Sequence, residues 1–184
     1  MVTHFVEQAT KYDGQQLKSH WAYRTFGLEG DSIVAFIGEC EVAGEALVDL
    51  EDARAGEKIL ARSMLHFIVE HFDPELERAI LRQRLLVALV AEALRERGAG
   101  EFIRRGDDLY HGDRKLTVSV ATISPVSALI HLGINVDPEG ATVPAVGLRE
   151  LGVDATSFAK EVMRNYQTEM ASVQRARTKV RPVP

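Results

Sequence analysis

Residues 85–137 read LLVALVAEALRERGAGEFIRRGDDLYHGDRKLTVSVATISPVSALIHLGINVD, and the order of elements within them decides the fold. The first part, LLVALVAEAL, is apolar on nearly every side, which predicts a helix inside the domain, not on its surface. Arg95 and Arg97 suit its last turn and Gly98 its terminator. Two short β-segments follow around Gly106-Asp107-Asp108, a composition that favours a tight turn. Then come two stretches with period-2 patterning. In KLTVSVA, Leu116, Val118 and Val120 take one face and Lys115, Thr117 and Ser119 the other. In ALIHLGINV, Ala128, Ile130, Leu132, Ile134 and Val136 take one face, and Leu129, His131, Gly133 and Asn135 the other. If the connector TISPVS lets these strands pair antiparallel, their polar sides meet on one sheet face.

Upstream, Asp73 reads as an N-cap and Pro74 as the first helical residue of the segment running to about Arg97, with Glu75 and Glu77 at the positive end of its dipole. DSIVAFIGECEV predicts a buried strand leading to a turn at Gly38, and EALVDLED a weaker strand. ARSMLHFIVEHF places Met64, Leu65, Ile68 and Phe72 at helical spacing. Tyr12-Asp13-Gly14 reads as a turn, followed by a short helix within QQLKSHWAYRTFG that ends at Gly27. Downstream, a Gly/Pro-rich loop precedes a final helix behind Asp154 that carries Phe158, Val162, Met163, Tyr166, Met170 and Val173. We expect one domain over residues 1–176 and a basic, proline-containing tail over 177–184.

The 184 residues suffice for a sizeable single core. The 46% hydrophobic and 27% charged composition is that of an ordinary globular chain, and the net charge of −5 excludes a global basic footprint for nucleic acid. One cysteine, Cys40, excludes an internal disulfide framework and suits a reducing compartment. The N-terminus lacks the pattern of a signal peptide, and no stretch is apolar enough to span a membrane. A cytoplasmic location is expected.

The helix–strand–turn–strand–connector–strand order of residues 85–137 resembles the catalytic core of biotin–protein ligases. Gly112-Asp113-Arg114-Lys115 stands where that family has a G-R-K segment. Arg104-Arg105-Gly106-Asp107-Asp108 stands at its KWPND-type turn, and Gly133-Ile134-Asn135-Val136 matches its G-I-N-V strand. In the lipoate-ligase branch a histidine lies shortly before the corresponding glycine, and His131 is similarly placed. The chain as a whole also resembles an uncharacterised prokaryotic family grouped by fold with these ligases, through YDGQQLKSHWAYRTFG, LVDLEDARAGE and MLHFIVEHFD. The resemblance implies an α+β fold: a mixed, largely antiparallel sheet with packed helices, of the biotin/lipoate ligase-like, class II synthetase-like kind.

It also implies a chemistry. Activating a carboxylic acid with ATP brings two anions together, and a fixed ammonium offsets their repulsion. Lys115 is the candidate for that cation, with His131 as its catalytic companion. Arg24, Arg54 and Arg104 are candidates for phosphate oxygens. Asp108, Gly133 and Asn135 complete the implied ligand-binding set, in which His131 and Asn135 orient the acid. ATP and Mg²⁺ are the implied cofactors, a small carboxylic acid or nucleotide the implied ligand, and a homo-oligomer the expected assembly.

Three departures stand against this. The G-R-G-R-x-G loop is missing, and its nearest counterpart is Glu51-Asp52-Ala53-Arg54-Ala55-Gly56. Val118 stands where the ligases have a glycine after the lysine. Only one helix fits after residue 151, where biotin ligases add a small domain. The acidic run Asp49, Glu51, Asp52 reads first as a solvated loop, with Mg²⁺ beside a nucleotide as the alternative, and no metal site is assigned. No phosphate-loop or dinucleotide motif is present. His66 and His71 are five apart, outside the spacing of helical zinc motifs. Two functions remain: an adenylate-forming ligase, and a metabolite-binding or homo-oligomeric protein that keeps the fold without the reaction.

Overall fold

The computed structural model describes residues 1–183. Its centre is a five-stranded sheet in the order β1 (Val2–Val6), β2 (Ser32–Ala43), β3 (Lys58–His71), β8 (Ala128–Asp137), β7 (Thr117–Ile123). β1 is parallel to β2 and every other pairing is antiparallel. Two long helices, α3 (Leu76–Glu96) and α4 (Ala155–Lys179), cover one face. Ile33, Phe67, Leu132 and Ile134 point there and pack on Leu86, Val90, Phe158 and Tyr166. The opposite face is covered by the chain around Tyr12 and Leu47, which closes a second apolar cluster with Phe36, Cys40, Met64 and Ile68.

This double cover explains the main correction. The stretch expected to be a helix, residues 61–72, lies almost wholly in the central strand β3, which ends at His71. From Met64 to His71 every residue is buried, because odd positions face the helices and even positions face the other layer. A strand buried on both faces loses its alternation, and its apolar run then imitates helical spacing. EALVDLED is likewise not a strand. It holds a turn of 3₁₀ helix and then α2 (Leu50–Ala55), capped by the Asp49 carboxylate, which accepts from the amides of Glu51 and Asp52.

Gly38 makes no turn either. β2 runs through it and bulges between Gly38 and Cys40. A Cβ on Gly38 would lie 2.0 Å from the Thr10 carbonyl oxygen, so the glycine lets residues 10–12 lie along β2. There the amide of Thr10 donates to Ile37 and that of Tyr12 to Glu39.

The helix boundaries follow local chemistry. α1 (Trp21–Phe26) is shorter than the expected segment and ends at Gly27 in the left-handed conformation. α3 is capped by Glu75, whose carboxylate accepts from the amides of Glu77 and Arg78, so Asp73 is not its N-cap. Asp73 pairs with Arg78 and Arg82 instead. α3 stops with Gly98 at φ 68°, as expected. α4 starts behind Asp154, which accepts from the amide of Ser157, and continues to Lys179, into the stretch expected to be tail.

Between α3 and β7 the chain builds a small three-stranded sheet, β4 (Ile103–Arg105), β5 (Asp108–His111) and β6 (Arg114–Lys115), with left-handed Gly106 and Gly112 at its two turns. β6 and β7 are separate strands that break at Leu116, whose amide donates to Leu109 and whose carbonyl accepts from Asn135. The break shifts the facing. Leu116 joins the core under the helices, whereas Val118 packs with the opposite cluster. Thr117 and Ser119 therefore do not share a face with His131. Thr117 Oγ1 accepts from the amide of Leu109, and Ser119 Oγ accepts from Gln83 of α3.

Candidate functional site

A cavity of about 520 Å³ opens on the sheet face away from α3 and α4. Its walls are the side of β8 that carries His131 and Asn135, the turn between β4 and β5, α2, the start of β3 and residues 141–145. Lys115 enters it because β6 leaves the main sheet one residue earlier. The backbone there is held on both sides: the amide of Lys115 donates to Pro144, and its carbonyl accepts from Val146 and from the Asn135 side chain at 3.2 Å.

Lys115 Nζ lies 2.7 Å from Asp108 Oδ2 in a pair largely sheltered from solvent. Burial pushes the Asp108 carboxyl up to about 6, against the opposing pull of Lys115, while Asp107 and Asp52 add to the rise. Burial also works against the Lys115 charge, but its bond to Asp108 prevails and holds the ammonium above its ordinary range. At neutral pH both groups are charged. The second oxygen of Asp108, Oδ1, is shielded and has no hydrogen-bond partner among the described residues.

Beside this pair, β8 presents His131 and Asn135 to the cavity. His131 is 3% exposed, lies flat against Tyr12 with ring centroids 3.8 Å apart, and meets His66 of β3 at 3.1 Å between Nε2 and Nδ1. Burial depresses both imidazoles, His66 to about 3, and the neighbouring ring lowers His131 further. Both rings are neutral at pH 7, so His131 serves as a hydrogen-bonding group there. His66 was missed as a site residue because residues 61–72 read as a helix. As a strand, β3 aligns His66 with Gly133 and Ile68 with His131, and that register brings the two rings together.

The expected residues thus divide. Lys115, Asp108, His131 and Asn135 come together at the cavity. Gly133 sits on the same strand face, where a Cβ would lie 2.8 Å from Met64 Cε and 3.3 Å from Val118 Cγ2, so its smallness serves packing. The three arginines stay outside. Arg24 is exposed on α1, Arg54 is exposed on α2, and Arg104 turns back to the Gly106 carbonyl of its own hairpin. No arginine lines the cavity among its described residues. Residues 51–56 are a capped helix and its terminator here, not an open glycine-rich loop. Its inner side instead turns Glu51 and Asp52 to the cavity. No three histidine, cysteine or carboxylate side chains converge on a metal position among the described residues. Cys40 is buried, and burial pushes its thiol up to about 12, which makes it a packing residue rather than a nucleophile.

The layered sheet is that of biotin/lipoate ligase catalytic domains. The biotin protein ligase from Aquifex aeolicus, in complex with biotin and ATP, superimposes with a TM-score of 0.62 at 18% identity, over 90% of this chain and 69% of that one. Protein Ta0514 from T. acidophilum with bound lipoic acid gives 0.63 at 13% identity, over 93% and 86%. At these identities the likeness is one of fold. The chain itself belongs to the DUF366 family, a domain of unknown function whose model matches residues 1–181. It is 39% identical to the uncharacterized protein MJ0805 of Methanocaldococcus jannaschii, over 97% of this chain and 84% of that protein. A protein of unknown function from Pyrococcus horikoshi has the same structure, with a TM-score of 0.95 at 42% identity over 100% and 99% of the two chains. Among the described residues no helix is long and apolar enough to cross a membrane.

Proposed function

We propose that the cavity binds a small carboxylic acid and activates it with Mg²⁺-ATP for transfer to an amine. The observation that carries this reading is the Lys115 ammonium, anchored by backbone on both sides and directed into the cavity beside His131 and Asn135. The fold neighbours that hold biotin with ATP, or lipoic acid, support it.

Lys115 would take the acid's carboxylate, a charge-assisted contact of the strong kind. His131 and Asn135 are uncharged polar groups that orient the acid without repelling it. ATP would supply the leaving group that makes the acyl carbon reactive. The residues present fit its phosphates through Lys115 and Lys58, and, with a magnesium ion between, through the α2 carboxylates. The test is ATP–pyrophosphate exchange across a panel of carboxylic acids. Exchange that depends on an acid and falls at least about 100-fold in Lys115→Met supports the reading. An inert protein across the panel rejects it.

A second reading is favoured by the arginine-free cavity and by Lys115 already having a carboxylate partner. On it the cavity holds a metabolite without adenylating it. Acid binding by calorimetry with no exchange selects this reading. A homo-oligomer is proposed on either reading, supported by exposed Leu76, Ile80 and Leu81 on α3 beside Val173 of α4. Light scattering on the purified chain tests it.

A further inference from the structure

The charge in the cavity does not balance. Six carboxylates line it, Asp49, Glu51, Asp52, Glu57, Asp107 and Asp108, against the ammonium groups of Lys58 and Lys115. Three are answered within the fold: Asp49 by the amides of Glu51 and Asp52 that it caps, Asp107 by Gln83 and Arg84, and Asp108 by Lys115. The Asp52 carboxylate has no basic partner among the described residues, nor has the shielded Oδ1 of Asp108 any partner. No three of these carboxylates converge on a metal position by themselves among the described residues.

A second, independent feature points to a polar ligand. Tyr12 and His131 are each 3% exposed and line the cavity, yet the Tyr12 hydroxyl and His131 Nδ1 have no hydrogen-bond partner among the described residues. Buried polar groups left open toward a cavity ask for a partner that enters it. A plain carboxylic acid would satisfy Lys115 but add one more negative charge to a surplus, and like charges in a sheltered site are costly.

We infer that the acid taken by this cavity carries an amino group, its carboxylate meeting Lys115 and its ammonium meeting Asp52. The inference rests on the proposed reading for its carboxylate end and adds the second charge. Such a ligand enters with no net charge and compensates both signs. Tyr12, His131 and Asn135 lie between as neutral donors and acceptors, and Val118, Met64 and Leu47 supply apolar wall.

The test is titration calorimetry on the full chain, in EDTA and without nucleotide, with lysine and 6-aminohexanoate against hexanoate. At least one amino-bearing acid binds about tenfold or more tightly than hexanoate. Asp52→Asn reduces that preference to within about threefold while strengthening hexanoate binding, because a repelling charge is gone. A purely structural role for Asp52 would weaken all three ligands together. Equal affinity for hexanoate, no binding by any of the three, or a preference that appears only with Mg²⁺-ATP overturns the inference. If the preference holds and pyrophosphate exchange is absent, the ligase reading fails and the inference stands.

Discussion

His66 Nδ1 and His131 Nε2 lie 3.1 Å apart beneath the cavity, two imidazoles from neighbouring strands joined by one hydrogen bond. Neither ring carries charge at neutral pH, since burial holds both well below the ordinary histidine range. The pair therefore bears on stability and on pH together.

In acid the pair should destabilise the fold. A histidine whose folded pKa is depressed binds its proton more readily in the unfolded chain. Stability from the pair is complete above the unfolded value of about 6.5 and is lost as pH falls from there toward the folded value, about 3 for His66. Denaturant midpoints measured between pH 7 and 4 should fall steadily. The double variant His66→Phe/His131→Phe should flatten that slope, and an unchanged slope would refute the assignment.

Breaking the pair from one side should cost more than removing it. His66→Phe leaves His131 Nε2 buried without a partner, a loss of about 1–3 kcal/mol. The two single losses should not add in the double variant. Chemical denaturation of the three variants gives the coupling directly.

Asp108 should titrate near pH 6 rather than in the usual carboxylate range. Its folded pKa is raised, so its contribution to stability is present at low pH and declines as pH rises from about 4 through 6. Lys115→Met should move the carboxyl further up, because Lys115 is the group that pulls it down. Carbon-detected NMR of the side-chain carboxyl reads both values, and a midpoint near 4 would contradict the burial described here.

Gly38→Ala should lower stability by about 2 kcal/mol or more, since its Cβ would sit 2.0 Å from the Thr10 carbonyl, which is backbone and cannot swing aside. Thermal unfolding measures this. Tolerance of the methyl would show that residues 10–12 do not hold this position.

Asp154→Ala removes the carboxylate that accepts from the Ser157 amide at the start of α4. A loss of about 1 kcal/mol is expected in denaturant unfolding. An effect near zero would indicate that packing of Phe158 and Tyr166 alone sets the helix start.

Much of this architecture is written locally. The inner faces of α3 and α4 and the Gly98 stop follow from residue spacing and backbone freedom. The outward set His131, Gly133, Asn135 on β8 was legible for the same reason, since a strand covered differently on its two sides keeps its alternation. The resemblance of residues 85–137 to biotin ligases supplied the ligase-like fold and made Lys115 a candidate, neither of which spacing alone could provide.

What only the folded molecule decided is where a pattern becomes ambiguous or a partner is remote. β3 is buried on both faces, so its sequence carries no period by which strand could be told from helix, and with it went the His66–His131 pair. Lys115 and Ser119 share a parity in the sequence yet part company, because the break at Leu116 is set by hydrogen bonds to Leu109 and Asn135, the latter 19 residues further on. Arg24, Arg54 and Arg104 have the right charge for an anion, but charge type is local and direction is not. Tertiary packing turned all three to the surface and left the cavity walled with carboxylates.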